Sequence, residues 1–237
     1  MFKKKKILCV IPARSGSKGI RNKNIKKLGG HPLIAWPIKT ALKSRYLDMV
    51  LVSTDSLKIS KIAKKFGAEV PFLRPKKLAS DTATTVNVIK HAIKFLSKEL
   101  YIFDYVLCLE PTSPLTSSND IDNAIKILSK NYSKADSIVS VSYCSSQHPE
   151  YLFNIKNNNL LKRYLDKKKY LRRQDLKKCY FLDGSLYLSK VNSLLSNNSF
   201  ITKKTMAFIV PKYKSYEIDD RIDLLIYKSL IKKKYAK

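Results

Sequence analysis

Cysteine, histidine and long apolar runs are all scarce in this sequence, and their scarcity excludes several kinds of protein. The four cysteines are far apart and form no C-x-x-C pair, so neither a disulfide framework nor a zinc site is predicted. No apolar run approaches the roughly 20 residues that a membrane-spanning helix needs, and we expect no membrane partner. The apolar run after the basic N-terminal residues is too short for an export signal, so we expect a cytoplasmic protein.

Acidic residues are also few: 18 Asp and Glu face 47 Lys and Arg, which gives a net charge of +29. A charge of this size is typical of proteins that bind nucleic acid. Only eight of the basic residues are arginine, however, and the lysines are dispersed along the chain instead of forming one stripe. We therefore expect a solvated lysine surface that attracts anionic substrates, and no nucleic-acid partner. A basic nucleic-acid-binding module stays the alternative from a different class.

Strand-like and helix-like segments alternate along the chain. Short runs that are apolar on both faces are separated by segments with helical periodicity. This alternation predicts an α/β fold with a mostly parallel, doubly wound sheet, in one domain over residues 1–237. The predicted strands are Ile7–Ile11, Met49–Ser53, Tyr105–Leu109, Ser137–Val141, Ser185–Leu188 and Met206–Val210. The predicted helices are Leu33–Arg45, Leu57–Phe66, Val86–Leu96, Ile121–Leu128 and Ile222–Ile231.

Residues 143–180 interrupt the alternation. They contain five tyrosines, the asparagine run 157–159 and the lysine run 167–169. We predict an insertion that leaves the main sheet as a hairpin, with the asparagine run as its turn. Exposed aromatic residues on such an insertion indicate a protein interface, although packing against the parent domain is the alternative.

The loop after the first strand combines cations with two of the only six glycines, in the sequence ARSGSKGIRNKN. Glycine and serine allow backbone N–H groups to approach phosphate oxygens closely, and Arg14, Lys18 and Lys23 can neutralise the phosphate charge. The spacing matches neither the Walker loop nor the dinucleotide-binding fingerprint. We predict that this loop binds a polyphosphate, with a solvated polar loop as the alternative.

Three other segments are candidates for ligand binding. The stretch from Arg74 to Thr85 offers an arginine and small hydrogen-bonding residues, which suits a pocket for a nucleobase; the alternative is a loop that ends in a helix N-cap at Thr84 or Thr85, and both can hold together. A stiff loop with two prolines follows Glu110 at the end of a predicted strand. The paired arginines Arg172 and Arg173 suit a carboxylate or a phosphate, or form a solvated basic turn.

Two carboxylates near the end of the chain, Glu217 and Asp219, are candidates for a metal site. They are two residues apart in an extended segment, so both can point to one hard cation such as Mg²⁺. The alternative is that Asp219 and Asp220 only cap the following helix.

In combination, these segments resemble the acylneuraminate cytidylyltransferase family, which comprises CMP-sialic acid synthetases and their bacterial nonulosonate relatives. The matching stretches occur in the family's order across nearly the whole chain: IPARSGSKGIRNKN, residues 74–85, the 111–114 loop, residues 173–176 and the closing Glu-Ile-Asp. The resemblance implies a Rossmann-like nucleotidyltransferase with Mg²⁺ as cofactor, and a homodimer in which the insertion reaches the partner's active site. It also implies the reaction, in which CTP and a nine-carbon 2-keto sugar acid give the CMP-sugar and pyrophosphate.

The resemblance assigns roles by position. The residues that would hold the triphosphate are Arg14, Ser17, Lys18, Gly19 and Lys23, of which Arg14, Lys18 and Lys23 would be the catalytic cations. The residues that would hold the cytidine are Asn24, Arg74, Ala83 and Thr85. The residues that would lie at the sugar acid are Glu110, Arg173 and Asp183, and those that would bind Mg²⁺ are Glu217 and Asp219.

Four positions differ from the family's pattern. Glu110 replaces a glutamine, Asp183 an asparagine, Arg21 a proline or apolar residue, and Glu217 an aspartate. Because two of these changes add negative charge beside the sugar, a diamino nonulosonate such as a legionaminic-type acid is an alternative to N-acetylneuraminate. Further alternatives are a CMP-Kdo synthetase-type enzyme, which uses an eight-carbon keto sugar acid, and a sugar-1-phosphate cytidylyltransferase.

Overall fold

The computed structural model describes residues 5–144, 148–165 and 172–235, and for Arg173 and residues 233–235 it describes the backbone only. The strands in these ranges are β1 (Ile7–Pro12), β2 (Lys27–Leu28), β3 (His31–Pro32), β4 (Met49–Ser53), β5 (Tyr105–Leu109), β6 (Ser137–Tyr143), β7 (Phe153–Ile155), β8 (Leu161–Arg163), β9 (Tyr180–Lys190) and β10 (Thr205–Ile209). The α-helices are α1 (Ala35–Leu42), α2 (Leu57–Lys65), α3 (Thr85–Lys98), α4 (Ser118–Lys130), α5 (Val191–Asn197) and α6 (Arg221–Tyr235).

A six-stranded sheet in the order β10-β6-β9-β5-β1-β4 forms the centre of the fold. β1 pairs in parallel with β4 and β5, and β10 pairs in parallel with β6. The mostly parallel α/β sheet expected from the sequence is therefore confirmed. β9 differs, because it is antiparallel to both β5 and β6. Its first residue, Tyr180, pairs with Tyr143 at the end of β6, so the chain re-enters the sheet where it left it.

Helices cover both faces of the sheet, as a doubly wound fold requires. Residues of α1, α2 and α4 belong to the apolar cluster on one face of the sheet, and residues of α3 and α5 belong to the cluster on the other face. The burial of both faces explains why β1 is apolar at every position before Pro12. Among the described residues, no helix has the length and apolar character needed to cross a bilayer.

A third apolar cluster joins the first loop to the C-terminal helix. Ile20 from the loop packs with Leu33, Ile218 and residues of α6 that include Tyr227. The Tyr227 hydroxyl also donates a hydrogen bond to the carbonyl of Tyr216. Burying one large apolar side chain contributes about 1.5–3 kcal/mol, so this cluster holds the segment around Ile218 against the first loop.

Helix ends differ from the prediction where the backbone has other partners. α1 begins at Ala35 rather than Leu33, because the N–H groups of Leu33 and Ile34 donate to carbonyls of the first loop at 2.9 and 2.8 Å. α4 begins at Ser118 rather than Ile121, because Ser117 caps it and forms a capping box with Asp120.

The insertion forms the expected hairpin, since β7 and β8 are antiparallel and residues 157–159 make the turn. Asn158 and Asn159 have φ values of 74° and 58°, a left-handed conformation that asparagine tolerates better than most residues. The lysine run 167–169 lies outside the described residues. The apolar side chains of the insertion and its base that are exposed are Tyr143, Tyr151, Leu152, Phe153, Ile155, Leu160, Leu161, Tyr164, Tyr180, Phe181 and Leu182.

Candidate active site

The candidate site lies at the carboxyl ends of the parallel strands, where the strand order reverses beside β1. The chain continues from β1 to β4 on one side, whereas β5 lies on the other. Loops that follow these three strands meet at this edge of the sheet, which is the usual place for a ligand in such folds. The first contact between them joins Ser15 to Asp55, which follows β4.

Buried hydrogen bonds shape the first loop. The Asn24 side chain is buried, and its amide nitrogen donates to the carbonyl of Arg14 at 2.9 Å. Asp55 accepts from the Ser15 N–H at 2.9 Å and from its hydroxyl at 2.6 Å. Burial opposes the ionised form of Asp55, but the hydrogen bonds from Ser15 lower its pKa below the ordinary value. Asn24 therefore supports the loop, and its predicted contact with cytidine stays a prediction.

Each of the three predicted phosphate-binding cations is paired with an aspartate. Arg14 Nη1 lies 2.8 Å from one oxygen of Asp81, and Lys18 Nζ lies 2.9 Å from the other. Lys23 Nζ donates to Asp219 at 3.0 Å and to the carbonyl of Ile218 at 2.9 Å. The hydrogen bonds from Lys18 and Arg14 hold the pKa of Asp81 below its ordinary value.

The first loop touches the C-terminal segment at Gly19. A Cβ atom at Gly19 would lie 2.1 Å from the carbonyl oxygen of Asp219, which is too close for any side chain. Gly16 in the same loop has no neighbouring atom within 4 Å of such a position. Ser17, between the two glycines, is partly buried. Gly19 is therefore required by a close approach of two backbones, whereas Gly16 is not.

Arg74 lies in a pocket of about 240 Å³ that the predicted cytidine-binding residues Ala83 and Thr85 also line, together with Arg14 and Glu110. The Arg74 side chain is buried, yet no described residue accepts a hydrogen bond from its Nε or Nη2 atoms. Burial lowers the pKa of the Arg74 guanidinium, because a buried charge lacks the solvation that water provides. Buried donors without partners are costly, so this pocket suits a ligand with hydrogen-bond acceptors.

Glu110 lies between this pocket and a second cavity of about 500 Å³, which Lys23, Thr85 and Glu217 also line. The Thr85 hydroxyl donates to Glu110 at 3.4 Å. Burial, followed by the negative charge of Glu217, raises the pKa of Glu110 to about 7. This carboxyl group is therefore close to half protonated near neutral pH.

Carboxylates from two parts of the chain meet beside Gly184. The buried Asp183 accepts from the Ser140 hydroxyl at 2.5 Å and from the Ser185 N–H at 2.9 Å, whereas its second oxygen has no partner among the described residues. Gly184 has a φ of 74°, and a Cβ there would lie 1.6 Å from the Glu217 carboxylate. Burial, then the charges of Asp219 and Asp183, raise the pKa of Glu217 to about 7.

This set of hard oxygen donors fits a magnesium ion. Mg²⁺ uses one or two protein carboxylates and completes its coordination with water and phosphate oxygens. Among the residues that the structure describes, no group of three or more potential ligands surrounds one point. Glu217 and Asp219 would therefore supply two ligands, and a crowded pair of carboxylates gains from a cation between them.

One predicted residue is not placed by the structure. The backbone of Arg173 lies in a short 3-10 turn, Arg173–Asp175, but its side chain lies outside the description. The neighbouring Arg172 pairs with Asp175 at 2.8 Å. The role of Arg173 stays a prediction.

Sequence reasoning missed two carboxylates of the site, Asp55 and Asp81. A signal existed for Asp81, which is the single acidic residue between Glu69 and Glu99 and stands within the predicted base-binding stretch. Asp55 gave no such signal, since an aspartate before a helix is most often a capping residue.

Comparison with known proteins shows the family to which the chain belongs. The family model for cytidylyltransferases matches residues 8–215. Curated relatives include the post-translational flagellin modification protein B of Campylobacter coli, which is 36% identical and aligned over 96% of both chains. The pseudaminic acid cytidylyltransferase of Campylobacter jejuni is 34% identical, over 96% of this chain and 97% of the relative. The CMP-N,N'-diacetyllegionaminic acid synthase of Legionella pneumophila is 36% identical, over 95% and 96%.

Solved structures share the fold at lower identity. A CMP:2-keto-3-deoxy-manno-octonic acid synthetase complexed with CTP has a TM-score of 0.71 at 16% identity, over 97% of this chain and 99% of that chain. A 4-diphosphocytidyl-2C-methyl-D-erythritol synthase from Anaerococcus prevotii has a TM-score of 0.65 at 13% identity, over 96% and 99%. The resemblance drawn from the sequence is confirmed. Since the family model spans most of the chain and curated relatives align over nearly their full lengths, the chain belongs to the cytidylyltransferase family.

Proposed function

We propose that this protein transfers CMP from CTP to the C2 hydroxyl of a nonulosonic acid, a nine-carbon 2-keto sugar acid, and releases pyrophosphate. The observation that supports this function most directly is the buried Arg74, which lies in a pocket beside the cationic first loop and whose Nε and Nη2 atoms have no acceptor among the described residues. The relatives named for pseudaminic, legionaminic and N-acylneuraminic acids support the class of sugar.

Cytosine suits the pocket at Arg74. The ring offers acceptors at O2 and N3, which the guanidinium can bind with two of its donors. The backbone at Ala83 and Thr85 lines the same pocket and supplies further polar groups. A neutral base with acceptors would thus satisfy the Nε and Nη2 donors, for which the described part of the chain offers no acceptor.

The cations of the first loop would neutralise the phosphates during transfer. The sugar hydroxyl oxygen bonds to the α-phosphorus and releases its proton to solvent, while the bond between the α-phosphorus and the oxygen that bridges to the β-phosphorus breaks, so negative charge grows on the leaving pyrophosphate. Such chemistry depends on positioning and charge stabilisation more than on a covalent nucleophile. Arg14, Lys18 and Lys23 supply that positive charge, and the backbone at Ser17 and Gly19 can approach the oxygens.

We also propose that Glu217 and Asp219 hold Mg²⁺. A bound Mg²⁺ ion would supply further neutralisation of the phosphate oxygens. Lys23, which bonds to Asp219, keeps this carboxylate at the edge of the first loop.

The sugar acid would occupy the 500 Å³ cavity beside Glu110, a volume within the usual range for a small-molecule site. Glu110 would face its amide or hydroxyl groups, and Arg173 would bind its carboxylate. Asp183 is bonded to Ser140 and Ser185, so its contribution to sugar binding would come through its second oxygen.

We propose a homodimer in which the insertion covers the partner's site. The support is the set of exposed apolar side chains on the hairpin, including Ile155 at 73% exposure, which a second subunit would bury. The proposal places this dimer in the cytoplasm, without a nucleic-acid or membrane partner.

The decisive experiment incubates the protein with CTP, Mg²⁺ and a panel of keto sugar acids, followed by mass measurement of the products. We expect the CMP ester of at least one nonulosonic acid, and an Arg14→Ala variant that keeps its fold but loses most pyrophosphate release. A product with the eight-carbon acid alone would favour the CMP-Kdo synthetase type. Salt-sensitive binding of mixed oligonucleotides without any CTP turnover would favour the nucleic-acid-binding module.

A further inference from the structure

We propose that Asp81 is an internal competitor of the nucleotide's phosphates, which holds Arg14 and Lys18 until a triphosphate displaces it. This inference rests on the proposed function, because it concerns the same first loop. It assigns to Asp81 a role in selecting what the loop binds, which neither the family pattern nor the sequence indicated.

The geometry resembles that of a bound anion. The two Asp81 oxygens lie 2.8 Å from Arg14 Nη1 and 2.9 Å from Lys18 Nζ, so one carboxylate bridges both cations. Arg14 Nη1 also donates to the carbonyl of Ala79 at 3.4 Å. The segment 79–81 therefore closes over the first loop through contacts that phosphate oxygens could replace.

Asp81 differs from Asp55, which also contacts the first loop. Asp55 accepts from the backbone and the hydroxyl of Ser15 and so shapes the loop. The Asp81 carboxylate contacts only two cations among the described residues, and its side chain remains 49% exposed. It is not needed to start α3, because Thr84 caps that helix by accepting from the Asn87 N–H. Asp81 can therefore leave without breaking a helix end or a backbone contact.

The size of the pocket supports the same conclusion. Asp81 lines the 240 Å³ pocket together with Arg14 and Arg74, and sites for drug-sized ligands are usually 300–1,000 Å³. Movement of Asp81 away from the two cations would enlarge this pocket on the side of the phosphates.

The consequence is selectivity in a strongly basic protein. Three cations in one loop would attract any polyanion, since the protein has a net charge of +29. The cost of displacing Asp81 lowers the affinity of the loop for bare phosphates. A ligand that also fills the Arg74 pocket pays the same cost but recovers it through the additional contacts in that pocket. Because both ion pairs of Asp81 are solvent-exposed and therefore weak, we expect Asp81 to weaken triphosphate binding by only about three- to tenfold.

The test compares Asp81→Asn with the wild-type protein by calorimetric titration of inorganic tripolyphosphate, CTP and cytidine. We expect tripolyphosphate to bind about three- to tenfold more tightly to the variant, with the affinity for cytidine unchanged. Asp81→Glu, which restores the carboxylate, should bind tripolyphosphate as the wild type does. Glu99→Gln removes an equal charge from an exposed site on the far end of α3 and controls for the change in net charge.

Equal or weaker binding of tripolyphosphate to Asp81→Asn would overturn the inference, as would a parallel loss of cytidine affinity, since both indicate that Asp81 positions Arg14. Failure of the proposed function is distinguishable, because wild-type protein would then bind no CTP at all.

Discussion

The surroundings of Arg74 do not match its chemistry, because two nitrogens of this buried guanidinium have no acceptor in the part of the chain that the structure describes. Stability alone does not explain such a residue, since burying unpaired donors costs about 1–3 kcal/mol by mutational data. Its placement is explained if the energy is recovered when a ligand binds.

Replacing Arg74 by methionine should therefore separate stability from activity. We expect the free energy of unfolding to rise by about 1 to 2 kcal/mol, because the apolar side chain needs no partners. Turnover of CTP should fall by about 100-fold or more, in line with the loss of a charged contact in the pocket. Urea unfolding and pyrophosphate release measure the two effects, and Arg45→Met, a change away from the pocket, should alter neither by much. A less stable variant with normal turnover would contradict this account.

Glu110 predicts a pH dependence of stability. Its pKa in the folded protein is about 7, above the ordinary value of 4.5, so the folded state keeps a proton that the unfolded chain releases. Stability from this group is therefore present below pH 4.5 and is lost as the pH rises to about 7.

We expect Glu110→Gln to unfold like the wild type at pH 4.5 and to be more stable by about 1–3 kcal/mol at pH 7.5. Urea unfolding at a series of pH values measures the difference, and Glu217, whose pKa is also about 7, would contribute to the slope that remains. Glu99→Gln, the same substitution at an exposed position outside the two cavities, is the matched control. An identical pH profile for Glu110→Gln would show that the carboxyl group of Glu110 is not the source.

At the scale of the structural elements, two glycine substitutions in the first loop form a matched pair that tests its contact with the C-terminal segment. Gly19→Ala forces a methyl group to within 2.1 Å of the Asp219 carbonyl, whereas Gly16→Ala meets no atom within 4 Å. We expect Gly19→Ala to lower the free energy of unfolding by about 1–3 kcal/mol and turnover by about tenfold or more, because the loop and the C-terminal segment must separate. Gly16→Ala should stay within about 0.5 kcal/mol of the wild type in thermal unfolding. Equal effects of the two changes would argue against the close contact.

The strands of this fold are predictable from the sequence because a run buried on both faces differs from its polar surroundings. Met49–Ser53 and Tyr105–Leu109 have the predicted bounds. β9 is longer than the predicted Ser185–Leu188. Its first three residues are exposed where the chain enters the sheet, so the run does not differ from its surroundings as a fully buried strand does. The antiparallel direction of β9 depends on where the chain returns to the sheet after the insertion, and no local sequence pattern encodes that position.

The cluster of cations in the candidate site was predictable from the sequence, whereas the aspartates that pair with them were not. Arg14, Lys18 and Lys23 stand close together in sequence, so their shared loop is a local property. Their aspartates lie up to 196 residues away, and only the folded chain brings them into contact. The orphaned donors of Arg74 likewise arise from tertiary burial, which residue types alone do not indicate.

At the scale of the whole molecule, the exposed hairpin predicts an association that mutation can test. Ile155→Ser combined with Leu160→Ser removes two side chains that are 73% and 63% exposed. We expect a dimeric wild type and a monomeric double variant in size-exclusion chromatography with light scattering, because the apolar contact drives association. Leu57→Ser with Ile102→Ser removes side chains of similar exposure, 66% and 75%, and should remain dimeric. A monomeric wild type would refute the dimer, and a dimeric double variant would place the interface elsewhere.

The contact between Lys23 and Asp219, which spans 196 residues, has a consequence for synthesis on the ribosome. At about 5–20 residues per second, the first loop emerges roughly 10 to 40 s before the segment that completes it. During this interval, the nascent chain already contains Asp81 but not Asp219, so Arg14 and Lys18 find their counter-charge long before Lys23 does. A translation product that stops before Glu217 contains the partners of Arg14 and Lys18 but lacks both groups to which Lys23 donates, so the last contact that fixes the first loop forms only after the chain is nearly complete.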